Sequence, residues 1–207
     1  MTTTPGALRK LIVVKLLDAL APLGFIAKGQ FLVRRRDELV TDWLAVMTVG
    51  QRGGGIDATV NAGIHCAPLH RLLASLNADA YAETTATFST NVGYIEPGGS
   101  YRQWHFSREL PEDSLLVEMA NTVRHVAIPF CVGFTDADSL REGCKRYGFS
   151  EYNQLRIPAL EYLAGRAHVA KEHLEIALSA MERRTDAAAD LFRAAGSGLL
   201  TLCTDRN

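Results

Sequence analysis

A strand-like segment at residues 56–66 carries side chains whose types could bind a small polar ligand. Polar and apolar residues alternate along it, so one face of the predicted strand is polar and the other is apolar. A second segment, at residues 101–108, alternates in the same way. The polar face is rich in short hydrogen-bonding groups, which suit contact with a ligand, with solvent or with a covering helix. The candidate ligand-binding residues are Asp57, Thr59, Asn61, His65, Gln103 and His105.

Histidine and cysteine residues near the end of the first segment raise the question of a metal site. His65 and Cys66 are neighbours, so a strand points their side chains to opposite faces, where they cannot easily bind one ion. His70 follows, but the sequence contains no second paired-ligand motif. We therefore expect no metal site and no cofactor. If the polar face were catalytic, His65 or His105 would be the general base.

The usual signatures of a catalytic nucleophile are missing from the sequence. There is no Gly-x-Ser-x-Gly segment, and Cys66 falls on the apolar face of its strand. The glycines at residues 53–55 precede a strand, whereas a phosphate-binding loop leads into a helix through Gly-Lys-Ser or Gly-Lys-Thr. We assign no catalytic residue, and the sequence favours a protein that is not an enzyme.

Three consecutive arginines close the first predicted strand. Arg34 and Arg36 share one face of that strand, and Arg35 lies on the other. The two that share a face could form a basic rim for a phosphate or an acidic partner, or could be solvated charges at a strand end. Two cations are too few for a nucleic-acid-binding surface, so we expect no nucleic-acid partner.

Two periodicities predict the elements that position these residues. Thr4 and Pro5 are typical of a helix start, and Gly24 is typical of a helix end. Beyond Gly24 the apolar residues recur with a period of two, which indicates strands. The predicted strands are residues 30–35, 39–49 and 56–66, and a second hairpin joins 84–95 to 101–108, with a short helix at 68–76. The expected fold class is α+β: an N-terminal helix, an antiparallel sheet of about five strands, and a helical C-terminal region.

Helical periodicity dominates the chain after residue 111, with helices predicted at 111–127, 136–147, 158–182 and 186–202. Residues 147–157 are the predicted hinge. We therefore expect a sheet domain over residues 1–147 and a helical hairpin over residues 158–207, packed on that domain or on a partner. The last helix is a candidate homodimer surface, because it repeats apolar residues at helical spacing: Ala187, Leu191, Phe192, Ala195 and Leu199.

Several segments match the pattern of one bacterial family. Residues 16–25 read Leu-Leu-Asp-Ala-Leu-Ala-Pro-Leu-Gly-Phe, followed by Lys-Gly-Gln-Phe at 28–31 and by the arginine run. Residues 59–64, 93–95 and 101–106 continue the pattern. Over about the first 145 residues the chain resembles domain-of-unknown-function family 4304. The resemblance implies a scaffold of a helix followed by strands. That family has no established activity, so the resemblance implies no catalytic residue.

Composition limits the function and the location. Lys plus Arg number 22 and Asp plus Glu number 23, a formal net charge of -1, which gives no overall attraction to nucleic acid or to an anionic membrane. The four cysteines are scattered without a Cys-x-x-Cys pair, so we expect free thiols. The N-terminal segment lacks the apolar core of a signal peptide, and we expect no membrane span and a cytoplasmic location. The excess of Arg over Lys indicates a GC-rich bacterial genome.

Two functions remain open. The first is a non-enzymatic protein-interaction module, regulatory or toxin-neutralising, that binds its partner through the sheet edge or the polar face. The second is a small-molecule binder, or an enzyme without a recognisable motif, that uses the polar sheet face as the floor of a pocket. The sequence favours the first, because it contains a stable fold without motif chemistry.

Overall fold

The computed structural model describes residues 4–52, 54–78, 82, 84–107 and 113–205. Within them, an N-terminal helix, a six-stranded antiparallel sheet and a helical C-terminal region confirm the predicted α+β class. Gly53, Arg108 and Pro111 lie outside the described residues. The predicted glycine loop, the end of the second predicted hairpin and the start of the helix predicted after it are therefore covered only in part.

Helices make up most of the described chain. Their bounds are α1 Pro5–Leu20, α2 Ala67–Ser75, α3 Asp113–Thr122, α4 Ile128–Val132, α5 Ala137–Tyr147, α6 Ser150–Leu163, α7 Ala167–Met181 and α8 Ala187–Asp205. A π-helical turn, Val123–Ala127, joins α3 to α4. Pro129 lies in the first turn of α4. Since proline has no N–H and its ring excludes the carbonyl four residues earlier, the helix widens at this turn.

The sheet pairs several candidate residues with charged residues of the neighbouring strand. Its strands are β1 Ile26–Lys28, β2 Phe31–Arg35, β3 Val40–Gly50, β4 Ile56–Cys66, β5 Phe88–Asn91 and β6 Trp104–Phe106. The strand order is β1-β2-β3-β4-β5, and β6 also pairs with β4. In the antiparallel register, Arg34 of β2 lies opposite Asp42 of β3, and Asp57 of β4 lies opposite His105 of β6.

The predicted second hairpin is wrong. Strands β5 and β6 are only four and three residues long, and each of them pairs with β4. The side chain of Asn91 joins the ends of the loop between them. Its Oδ1 accepts hydrogen bonds from the N–H groups of Gly93 and Arg102, both at 2.9 Å, and its Nδ2 donates to the Arg102 carbonyl at 3.0 Å. The side-chain amide of Asn91 thus holds this segment together, in place of the backbone hydrogen bonds of a hairpin.

Contacts within the chain define two compact units. The first unit contains Met1–His65 and Ser89–Gly133, and the second contains Cys66–Phe88 and Phe134–Asn207. This division differs from the predicted one, which places the boundary between residues 147 and 158. Helices α5 and α6 belong to the same unit, and most of the predicted hinge forms the first half of α6.

In the first unit, helix α1 buries a single apolar stripe. Thr4 caps the helix by accepting the N–H of Ala7 at 3.3 Å, and Pro5 occupies the first helical position. Gly24, with a φ of 88°, ends the short turn that follows α1 in a left-handed conformation. Four side chains at helical spacing are buried from solvent: Leu8, Ile12, Leu16 and Leu20. The helix packs against α3 and β3.

In the second unit, consecutive helices from α5 to α8 pack against each other, and α2 packs against α6. Helix α5 begins with a capping box between Asp136 and Ser139. The single helix predicted over residues 158–182 is wrong, because the chain turns between α6 and α7. Gly165, with a φ of 79°, supplies the left-handed residue that this turn requires.

A buried carboxylate links the helices of the second unit. Glu161 of α6 is 1% exposed. It accepts a hydrogen bond from Arg141 of α5 at 2.9 Å and another from Arg166. Both guanidinium groups also contact Asp138, which is 61% exposed. Glu161 therefore fixes α5 and the start of α7 against α6.

Candidate functional site

The structure brings together two of the predicted ligand-binding residues, Asp57 and His105. They are cross-strand partners of β4 and β6, and Nδ1 of His105 donates to Oδ1 of Asp57 at 2.9 Å. Gln51, the residue that follows β3, donates a second hydrogen bond to the same carboxylate. The His105 side chain is 57% exposed. A carboxylate oxygen can only accept a hydrogen bond, so Nδ1 carries the hydrogen of this one.

The glycine run next to this pair has a steric role. A Cβ atom on Gly55 would lie 2.6 Å from the Phe106 carbonyl oxygen and 3.2 Å from Cε1 of His105. Gly54 adopts a φ of 90°, which a side chain would strain. The glycines therefore allow the loop to approach strand β6 and leave room for the imidazole ring.

The other predicted residues of the polar face differ in their access to solvent. Thr59 is 7% exposed and His65 is 2% exposed, so both are buried. Asn61 is half-buried, and Gln103 is exposed. Of the six predicted residues, the structure joins Asp57 to His105, and the exposed Gln103 lies just before β6, two residues from His105.

The hydrogen bonds to Asp57 change its ionisation. The bond from His105, followed by the bond from Gln51, holds the pKa of Asp57 below its ordinary value of 3.8. We expect His105→Ala to raise this pKa towards 3.8. Since the pair is partly exposed, the free energy of unfolding should fall by less than about 1 kcal/mol. A carbon-13 NMR titration of the Asp57 carboxyl group measures the pKa directly.

Gln103→Ala is the matched control, because it shortens an exposed side chain two residues from His105 and should leave the Asp57 pKa unchanged. If His105→Ala also left that pKa unchanged, the imidazole would contribute nothing to the ionisation of Asp57.

The two arginines of the predicted basic rim bind a carboxylate that the sequence analysis missed. Nε of Arg34 donates to Oδ2 of Asp42 at 2.8 Å, and Nε of Arg36 lies 2.8 Å from Oδ1 of the same residue. The Asp42 side chain is 0% exposed, whereas those of Arg34 and Arg36 are 19% and 17% exposed. Burial raises the pKa of Asp42 above 3.8, and the hydrogen bond and charge of Arg34 and the charge of Arg36 offset part of that effect.

The cysteines are poor candidates for nucleophiles. All four are free and buried. Burial raises the pKa of Cys144 to about 12 and raises the pKa of Cys131 still further above its usual range. Among the described residues, no group of three or more His, Cys, Asp or Glu side chains could hold a metal ion.

A cleft of about 320 Å³ opens within the second unit. It lies between the end of α2, the first half of α6, the end of α7 and the first turns of α8. Alkyl and aromatic side chains form most of its walls, and the charged side chains of Glu151 and Arg184 also line it. Apolar wall residues come from all four helices: Leu73, Leu155, Met181, Ala189 and Phe192.

Arg156 and Tyr152 form one wall of this cleft. Arg156 is 7% exposed, and its Nη1 donates to the Thr87 carbonyl at 2.7 Å. The guanidinium carbon of Arg156 lies 4.8 Å from the centre of the Tyr152 ring, a distance typical of a cation–π contact. Tyr152 is itself 59% exposed. One ring thus contacts a buried cation on its inner side and reaches solvent at the cleft mouth.

The opposite rim is shaped by the turn between α7 and α8. Arg184 donates to both carboxylate oxygens of Asp186, at 2.9 and 3.0 Å, and Asp186 accepts the N–H of Ala189 at 3.1 Å. Arg193 donates to the carbonyls of Met181 and Arg184, both at 2.7 Å. These bonds fix the start of α8, and Leu191, in the next turn, is exposed at the cleft. Ala195 and Leu199, further along the predicted dimer stripe, are fully buried.

One helical stretch of the described chain, Asp113–Val132, is long and apolar enough to cross a membrane by length and composition alone. It is weak evidence for a membrane span, because buried core helices pass the same test. The stretch includes α3, the π-helical turn and α4, and it contributes buried side chains such as Met119, Val123 and Ala127.

Comparison of the chain with protein-family models, with curated proteins and with solved structures found no match. The resemblance to family 4304 therefore stays a prediction.

Proposed function

We propose that this protein is a non-enzymatic protein-interaction module and that the cleft of the second unit receives an apolar segment of the partner. The observation that supports the proposal is the apolar surface that continues beyond the cleft. Tyr152 and Leu191 line the cleft and are 59% and 60% exposed, and Phe149, whose ring centre lies 6.3 Å from that of Tyr152, is 75% exposed.

The extent of this surface favours a polypeptide over a small ligand. A small molecule that filled the cleft would leave the ring of Phe149 in water, whereas an apolar helix face could cover the cleft and the rim together. Aromatic side chains surrounded by charged groups are also the typical centre of a protein interface. Here Glu151, Arg184 and Asp186 supply the charged surroundings.

Leu191→Glu tests the cleft, because it places a charge at the centre of the apolar rim. We would select peptides from a random displayed library against the wild-type protein and measure their affinities. We expect the selected sequences to carry apolar residues three and four positions apart, and Leu191→Glu to weaken their binding by about tenfold or more. Ile176→Glu on α7 is the matched control, since Ile176 is 71% exposed and lies outside the cleft lining.

Equal binding of the selected peptides to the wild type and to Leu191→Glu would overturn the cleft as the contact surface. The alternative, a small-molecule binder, predicts a different result. The native mass of the gently purified protein would then exceed its denatured mass by the mass of a retained compound, and Leu191→Glu would lose it. The same native mass gives the oligomeric state and so tests the predicted homodimer.

The remaining expectations concern location and partners. A cytoplasmic location, a bacterial origin and the absence of a nucleic-acid partner stay predictions. Four buried free thiols suit a reducing compartment, where no oxidant drives them to pair.

A further inference from the structure

A loop of the first unit, Val92–Arg102, is held in a single shape by a buried side chain. Asn91 is 5% exposed, and its amide group bonds to the backbone of Gly93 and of Arg102, at the two ends of the loop. A buried and bonded amide of this kind makes an open loop costly, because opening the loop would leave the amide without these partners.

Glycines allow the loop to close tightly. A Cβ atom on Gly93 would lie 2.1 Å from the Ser100 carbonyl oxygen and 2.7 Å from the backbone nitrogen of Arg102. At the tip, Gly98 and Gly99 adopt φ values of 90° and 38°, and the N–H of Gly99 donates to the Glu96 carbonyl at 3.0 Å. The two halves of the loop are therefore in close contact at its base and at its tip.

This rigid loop presents two tyrosine rings to solvent. Tyr94 is 53% exposed and Tyr101 is 56% exposed. Their ring centres are 6.2 Å apart and their planes are inclined at 53°. The two inclined rings are thus in contact and form one exposed aromatic surface, which we call the tyrosine slot, with apolar ring faces and two phenolic O–H groups.

Charged residues next to the slot leave an excess of negative charge. Arg102, which follows Tyr101, forms ion pairs with Glu96 and, at 2.7 Å, with Glu118. Glu118 also accepts the indole N–H of Trp104 at 3.0 Å. Among the described residues this cluster holds two carboxylates and one guanidinium group, so a basic residue of a ligand is attracted to it.

We propose that the tyrosine slot binds a proline-rich segment of a protein partner in the polyproline II conformation. Proline rings are compact apolar groups that pack against exposed aromatic faces. A polyproline II chain makes no internal hydrogen bonds, so its carbonyl groups accept bonds from phenolic O–H donors. The negative charge favours segments in which a basic residue flanks the prolines. This surface lies in the first unit and is independent of the cleft in the second.

A synthetic oligoproline peptide with a terminal arginine is the probe. Added to the nitrogen-15-labelled full-length protein, it should shift the backbone signals of Tyr94, Tyr101 and their neighbours. Tyr94→Ala and Tyr101→Ala should each weaken binding by about tenfold or more. Asn91→Ala keeps both rings but removes the clamp, so it should weaken binding by a smaller factor. Tyr152→Ala removes an exposed tyrosine of the cleft and should bind the probe as the wild type does.

The outcomes separate this proposal from others. Binding that is unchanged in Tyr94→Ala and Tyr101→Ala would overturn the slot as the site. Shifts of the two tyrosines with a soluble oligosaccharide but not with oligoproline would assign the slot to a carbohydrate and overturn the proposal. Failure of the cleft experiment alone would leave these measurements unaffected, because Leu191 and the tyrosine slot belong to different units.

Discussion

The double variant Arg34→Met/Arg36→Met is expected to lose about 3 kcal/mol of the free energy of unfolding. Both arginines bind Asp42, whose side chain is 0% exposed. Without them, a buried carboxylate has lost the guanidinium groups that offset its desolvation. The loss is large because the remaining charge is in the protein interior and cannot reach water. Urea unfolding measured at neutral pH gives the value directly.

Two further variants identify the cause of this loss. Arg35→Met is the matched control, because Arg35 belongs to the same arginine run but is exposed. Among the described bonds, its side chain donates only to the Asp37 carbonyl. It should change the free energy of unfolding by less than about 0.5 kcal/mol.

The triple variant Arg34→Met/Arg36→Met/Asp42→Leu removes the buried charge as well and should recover most of the stability. A triple variant as unstable as the double variant would show that the arginines act through their packing.

The pH dependence of this loss has a definite sign. Burial raises the pKa of Asp42 in the folded protein above 3.8, and removal of the two guanidinium groups raises it further. A raised folded pKa means that stability is present below the unfolded pKa and is lost as the pH rises through the folded pKa. The deficit of the double variant should therefore be smallest at or below pH 3.8 and should grow as the pH rises. A deficit that does not change with pH would exclude the charge of Asp42 as its cause.

Local patterns allowed much of the first unit to be predicted. Thr4, Pro5 and four apolar residues at helical spacing predict α1, because capping and burial depend on neighbours in the sequence. Alternation predicts β2, β3 and β4 to within one residue at each end, since a sheet face repeats with a period of two. These signals need no knowledge of distant contacts.

The errors arose where a distant or unusual contact decides the structure. Asn91 replaces the ladder of a hairpin by bonding to Arg102, eleven residues away, and alternation gives no sign of such a bond. Gly165 ends α6 within a region of otherwise continuous helical periodicity. The predicted hinge is helical because α6 packs against α2, α5 and α7, and tertiary packing of this kind outweighs weak local propensity.

The candidate site was predicted in part. Alternation correctly put Arg34 and Arg36 on one face, but it did not reveal that they share Asp42 as a partner. Asp42 is the only charged residue of β3, and that isolated charge in an apolar strand was the available signal. The cleft gave no comparable signal, because its wall is assembled from side chains as far apart in the sequence as Leu73 and Phe192.

In the second unit, Glu161→Gln is expected to lower the free energy of unfolding by about 2 kcal/mol. Glu161 is 1% exposed and accepts bonds from Arg141 and Arg166. Glutamine keeps the shape of the side chain but removes the charge, and its amide N–H₂ group faces a guanidinium that can only donate. Asp138→Asn is the matched control, because Asp138 contacts the same two arginines but is 61% exposed. It should cost less than about 0.5 kcal/mol.

The stability deficit of Glu161→Gln should depend on pH with the opposite sign to the deficit of Arg34→Met/Arg36→Met. Burial raises the pKa of Glu161, but the hydrogen bonds and charges of Arg141 and Arg166 outweigh burial, so the net pKa lies below 4.5. A lowered folded pKa gives stability that is present above the unfolded pKa and is lost as the pH falls through the folded pKa. The difference in the free energy of unfolding between the wild type and Glu161→Gln should therefore narrow as the pH falls below 4.5. The deficit of Arg34→Met/Arg36→Met should instead grow as the pH rises. Urea unfolding across this range measures both, and a constant Glu161→Gln deficit would mean that the carboxylate stabilises the helices by shape and not by charge.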